Sequence, residues 1–197
     1  AEPGALIYAG LKPGVDRATL AEAIEAGRCE ECLNRFEAKP GDCAFIPAGT
    51  VHALGEGLLI AELQQASDTT YRLFDWNRVD AEGNPRELHV EAGLAAIDFD
   101  RGPVELQPPQ PTEQDHVERL IACEKFVIDR WRIDSRQAVG GDGRCHILAV
   151  LKGSVEIDGD PMGKPLKRGG TALLPASAGE VPLSPQGETV LLDAYLP

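Results

Sequence analysis

One pattern in the chain occurs twice. Lys39-x-Gly41-x-x-Ala44-Phe45-Ile46-Pro47-Ala48 returns as Lys167-x-Gly169-x-x-Ala172-Leu173-Leu174-Pro175-Ala176, with the same spacing and matching residue types. In each copy a glycine turn leads into a short apolar strand that stops at a proline, as expected where a barrel strand meets its rim. A chain of 197 residues built this way should contain two related β units. Composition agrees, because 21 Gly, 15 Pro and only 5% aromatic residues favour short strands and turns over a helical bundle.

Charge removes several classes of function. Nineteen Lys+Arg against 32 Asp+Glu leave a net charge of −13, which disfavours binding to nucleic-acid phosphates and to anionic membranes. No apolar run approaches the roughly 18 residues of a membrane span. Ala1-Glu2-Pro3-Gly4 shows no basic region followed by an apolar stretch, so no signal peptide is expected. Five cysteines, an odd number at uneven spacing, fit a reducing compartment better than a disulfide framework. The expected location is cytoplasmic.

Along the chain, RATLAEAIEA from Arg17 to Ala26 predicts a short helix, with Thr19 and Glu22 at capping-box spacing. Between Phe36 and Trp76 the runs CAFIP, GLLIAEL and TTYRLFDW read as strands. A second helix is expected from Glu87 to Ile97. The polar stretch from Arg101 to Gln114, with Pro103, Pro108, Pro109 and Pro111, reads as a linker. Beyond it KFVIDRWRI, CHILAVLKGSVEID, GTALLPA and ETVLLDAYLP restore the strand rhythm. The expected organisation is a first unit over 1–101, a linker over 102–115 and a second unit over 116–197.

The first copy of the repeat extends into Gly41-x5-Pro47-x-Gly49-x2-His52. This resembles the second sequence motif of the cupin superfamily, a small double-stranded β-helix, or jelly-roll, barrel. The resemblance implies that His52 points into the barrel and binds a metal. In the second copy Glu180 stands in register with His52. A search upstream of Gly153 for the companion histidine motif finds His146 at its Glu position, with Gly140 and Asp142, or Val139 and Gly141, where histidines would be. The second barrel is therefore expected to be metal-free.

The stretch PAGTVHALGEGLLIAELQQASDTTYRLFDWNR, followed by RELHVEAGLAAIDF, resembles the type I mannose-6-phosphate isomerases, which are tandem cupins with a degenerate second barrel. The fold that follows is mainly β: tandem cupin barrels with a few short helices, the first barrel incomplete. Carried over by position, the resemblance implies His52 as a metal ligand, Glu62 and Arg72 as catalytic residues, and Ser67 with Asp68 as the family's Ser-Asp pair. Leu54 replaces a common Tyr, and Thr69 replaces an Asn. The family's other metal ligands, a Gln/His pair and the Glu of a Gly-Lys-x-Glu motif, find no match. The chain thus resembles the C-terminal part of a longer enzyme, with the remaining ligands of one zinc ion expected upstream.

The implied activity interconverts mannose 6-phosphate and fructose 6-phosphate through a metal-assisted cis-enediolate. A small sugar phosphate is then the partner, and nothing in the sequence sets the oligomeric state. The alternative is a non-catalytic cupin module that binds sugar or serves assembly. Cys29-Glu30-Glu31-Cys32 has CxxC spacing, readable as a zinc knuckle, a redox pair or simply two small residues in a helix or turn. Asp75-Trp76-Asn77-Arg78 and Arg86-Glu87-Leu88-His89 fit packing and helix initiation as well as catalysis.

Overall fold

The computed structural model describes residues 1–67, 69–76 and 78–197. Two compact units divide at Leu106/Gln107, Ala1–Leu106 and Gln107–Pro197.

The first unit holds a three-stranded antiparallel sheet ordered β2-β1-β3, from β1 (Leu6–Leu11), β2 (Leu33–Glu37) and β3 (His52–Leu54). Helix α1 (Arg17–Glu25) follows β1 and buries Leu20, Ala23 and Ile24, the i, i+3, i+4 stripe of an amphipathic helix. Its cap is Asp16, whose carboxylate accepts the Thr19 N–H at 2.8 Å. The Thr19/Glu22 spacing therefore marked the first turn and not the cap. A 3₁₀ turn over Cys29–Cys32 and helix α2 (Val90–Ala96) complete the regular elements. Leu11, Leu20, Leu33, Leu73 and Leu94 form the core, with Tyr8 and Val51 packed against it.

Register fixes the two faces of the sheet. Ile7 pairs with Phe36 and Leu54, Ala9 pairs with His52, and Tyr8 pairs with Arg35 and Ala53. Because alternate residues of a strand point to opposite sides, Tyr8 faces the core while Ile7, Phe36, Leu54 and His52 share the other face. At Gly10 the backbone has φ +77, and a Cβ there would lie 2.3 Å from the Gly102 carbonyl oxygen. Only glycine lets the 102–104 segment run this close. Pro103 bridges Gly10, and Ala9 accepts the Val104 N–H at 3.1 Å.

The second unit contains two antiparallel sheets. One is ordered β10-β9-β12-β7 and the other β11-β8-β13-β6-β5-β4. The strands are β4 (Gln110–Pro111), β5 (Val117–Ala122), β6 (Val127–Ile133), β7 (Gln137–Gly140), β8 (His146–Lys152), β9 (Ser154–Ile157), β10 (Leu166–Lys167), β11 (Thr171–Leu174), β12 (Glu180–Pro185) and β13 (Thr189–Tyr195). Trp131, Leu148, Val150, Val155, Leu183 and Leu191 form a core to which both sheets contribute.

Several expectations shift. The proline-rich stretch at 102–115 is not a free tether. Pro103 and Leu106 bridge into the first unit and Gln110–Pro111 joins β5, because backbone groups near a sheet edge find partners there. The second copy of the repeat forms β11, whereas in the first copy Ala44 makes one bridge, to Leu106. GLLIAEL and TTYRLFDW form no strand, and α2 begins at Val90 and not at Glu87. The backbone of residues 58–66 makes no hydrogen bond to any described residue, and Leu59 is 78% exposed. No closed barrel forms in the first unit among the described residues.

Candidate functional site

His52 opens β3, where the Pro47/Gly49 turn delivers the chain to β1, and Thr50 N–H donates to the Pro47 carbonyl at 3.2 Å. Its side chain is exposed, on the sheet face away from the unit's core, and Nδ1 lies 3.0 Å from the Thr50 carbonyl. This contact places the ring proton on Nδ1 and leaves Nε2 as the donor atom for a metal. The expected barrel interior does not surround it, because the strands that would face it are not among the described residues.

Glu62 is exposed within the 58–66 segment and makes no polar contact with a described residue. Asp68 of the Ser-Asp pair lies outside the described residues, as does Asn77. Ser67 Oγ accepts the Thr69 N–H at 3.2 Å. No hydrogen bond or ion pair joins His52, Glu62 and Arg72 to one another.

Arg72 is half-buried and held by a single segment. Its N–H donates to His89 Nδ1 at 3.2 Å, its carbonyl accepts the His89 N–H at 2.7 Å, and its Nη1 donates to the Glu87 carbonyl at 3.1 Å. The nearby carboxylate of Asp75 is claimed by Arg86 through two hydrogen bonds, which hold Asp75 below the usual carboxylate range. Among the described residues Arg72 makes no ion pair, although its charge helps to lower Asp75. From the sequence, Arg86–His89 fits packing and helix initiation as well as catalysis. Its REL-His wording was the one signal, and the contact to Arg72 needed the fold.

Trp76 donates its indole N–H to Glu30 at 2.6 Å and packs against Tyr8 and Phe74. A cleft of about 550 Å³ lined by Leu6, Tyr8, Leu54, Trp76 and Arg78 includes none of His52, Glu62 and Arg72.

Cys29 and Cys32 are buried in the first core, and burial pushes the Cys29 thiol up to about 11 and raises Cys32 as well. Such thiols are poor nucleophiles and poor ligands. In the native chain both should react with an aromatic disulfide reagent at pH 8 about two orders of magnitude more slowly than free cysteine, and at the normal rate in denaturant. A fast native reaction at Cys29 would revive the redox reading. Among the described residues no group of three His, Cys, Asp or Glu side chains could hold a metal ion.

In the second unit His146 is buried, Nδ1 lying 2.8 Å from Asp193 and Nε2 3.1 Å from Asp142. Beside it Arg119 and Tyr195 both bind Asp129. With both ring nitrogens engaged by carboxylates, His146 offers no lone pair to a ligand.

No protein-family profile matches the chain. The mannose-6-phosphate isomerase ManA of Bacillus subtilis is 35% identical over 173 residues, 87% of this chain and 55% of that protein. The mannose-6-phosphate isomerase of Streptococcus mutans is 30% identical over 176 residues, 89% and 55% of the two chains. The chain spans about half the length of the curated relatives it matches. The crystal structure of the B. subtilis mannose 6-phosphate isomerase superposes with a TM-score of 0.84 at 29% identity, covering 98% of this chain and 60% of that one.

Proposed function

From a chain that is like the type I mannose-6-phosphate isomerases in both sequence and fold, we propose a part of an aldose–ketose isomerase that interconverts mannose 6-phosphate and fructose 6-phosphate. The observation that carries this is Arg72, half-buried and held by hydrogen bonds to His89 and Glu87, at the position the resemblance assigns to the active-site arginine. In a chain of net charge −13, a local cation is what makes a site attractive to a sugar phosphate. Its guanidinium offers a planar fork of donors to the negative charge that develops as a proton moves between C1 and C2. Glu62, acceptor-only when ionised, is the second residue assigned to catalysis.

Zinc is the proposed metal and His52 Nε2 one of its donors. The described residues supply this donor and not a set, whereas a catalytic zinc site normally has three protein ligands. No chemical step of this chain is therefore routed through the ion. The same observation favours the second reading, a non-catalytic sugar-binding module.

Zinc titration and a coupled isomerase assay separate the two. The 197-residue chain is expected to bind zinc weakly and to turn over mannose 6-phosphate poorly, while His52→Ala in the full-length polypeptide abolishes zinc binding. Tight stoichiometric zinc that survives His52→Ala and disappears with Cys29→Ser would move the metal to the CxxC pair. Sugar-phosphate binding without turnover in the full-length polypeptide would establish the module.

The same chemistry points to a soluble metabolic setting, and no described helix is long and apolar enough to cross a membrane. A cytoplasmic location is part of the proposal.

A further inference from the structure

Arg72 sits in a stretch that belongs to no strand, so sheet hydrogen bonds do not hold it. Both of its backbone polar groups go to one residue. Arg72 N–H donates to His89 Nδ1 at 3.2 Å and His89 N–H donates to the Arg72 carbonyl at 2.7 Å. An imidazole can accept on Nδ1 only when that nitrogen is unprotonated, which places the ring proton on Nε2, 4.0 Å from Glu87 Oε2. His89 is also the N-cap residue of α2, yet its side chain makes no capping bond, and its carbonyl starts the helix by accepting Gly93 N–H at 2.8 Å. The ring is turned outward to Arg72 instead of back to its own helix.

Gly93, one turn along, shapes the same contact. A Cβ there would lie 2.6 Å from Leu73 Cδ2 and 3.5 Å from Tyr71 Cβ. Without that atom, Leu73 seats directly on α2 and is buried. The helix thus grips the 71–73 segment at two points, a reciprocal hydrogen-bond pair at Arg72 and a close apolar contact at Leu73.

We infer that His89 is a positioning residue for Arg72, acting through its Nδ1 and its peptide N–H, with Gly93 providing the seat that fixes the neighbouring Leu73. This rests on Arg72 being the charge-handling residue of the proposed isomerase. His89 itself touches no substrate. It fixes the backbone from which the side chain extends, the guanidinium itself being held by the neighbouring Glu87 carbonyl, and a misplaced donor loses transition-state stabilisation more than ground-state binding.

The test compares Arg72→Ala, His89→Ala and His89→Asn in the full-length polypeptide, measuring kcat, KM and the hydrogen exchange of the Arg72 amide. Asn is the informative variant, because its Oδ1 can accept where Nδ1 does. His89→Ala is expected to lower kcat about 10-fold with KM within about 3-fold, and to speed Arg72 amide exchange. His89→Asn should restore both. His89 is partly exposed but its ring also meets Tyr71, 6.3 Å between centroids, a contact that both variants remove alike, and unchanged circular dichroism checks that the fold survives. A normal kcat in His89→Ala beside a low one in Arg72→Ala overturns the positioning role and leaves the isomerase reading standing. An Asn variant as impaired as Ala, or an Arg72 amide equally protected in wild type, His89→Ala and His89→Asn, overturns the hydrogen-bond mechanism. If Arg72→Ala is itself silent, the assignment of Arg72 fails and the role of His89 falls with it.

Discussion

Arg72→Ala should lower kcat for mannose 6-phosphate isomerisation by about 10²-fold or more in the full-length polypeptide, with zinc content unchanged. That is the scale of losing one preorganised donor to a developing oxyanion. The expectation rests on a guanidinium that is held in place by the Glu87 carbonyl and forms no ion pair among the described residues, the hydrogen bonds of Asp75 going to Arg86. Steady-state kinetics with metal analysis provides the check. A raised KM at constant kcat would assign Arg72 to holding the phosphate, and no kinetic effect would remove it from the site.

His146→Ala should destabilise the second unit by about 3 kcal/mol, the range for removing one partner of a buried ion pair. The melting temperature would then fall on the order of 10 °C for a unit of this size. His146 and Asp193 are 5% and 2% exposed, so water cannot replace the lost imidazole. Burial alone would depress His146, but its hydrogen bonds to Asp193 and Asp142 outweigh this and raise it. Burial pushes Asp193 up to about 6, opposed by its bond to His146.

Both groups therefore hold protons in the folded chain at pH values where the unfolded chain has released them. A group raised on folding contributes stability that is complete below its unfolded pKa and is lost as pH rises through its folded one. Between about pH 5 and 8 these two groups should therefore make the wild-type second unit less stable as pH increases, and His146→Ala should lose the histidine's part of that dependence while Asp193 keeps its own. Thermal melts followed by the buried Trp131 would show it. A wild-type stability that rises with pH over this range would contradict the raised His146 and Asp193.

How much of this was visible beforehand depended on where hydrogen-bond partners lie. VIDRWRI reads as a strand and is β6, since β5 and β13 flank it on both sides. GLLIAEL has the same apolar character, yet without a neighbouring strand it stays irregular, because a strand exists only with its partner. The Gly41…His52 spacing located His52 at the first residue of β3 but could not tell which face of the sheet it would join. That depended on pairing with Ala9 across the sheet. The grip of His89 on Arg72 spans 17 residues and that of His146 on Asp193 spans 47. Neither leaves a local pattern. The search for the companion histidine motif did place His146 at a ligand position, while the carboxylates that occupy its nitrogens come from the Asp142 loop and from β13.

The segment at residues 58–66 bears on how long the molecule lasts. Proteases bind their substrates as lone extended strands and cut where main-chain amides are free to pair with the enzyme. A nine-residue run from Leu58 to Ala66, whose amides pair with no described residue and whose Leu59 is exposed, meets that requirement without any unfolding of either core. Turnover of the polypeptide would then be governed by access to this stretch and be nearly independent of global stability. Stiffening the cores would not lengthen its lifetime, whereas a strand laid along 58–66 would.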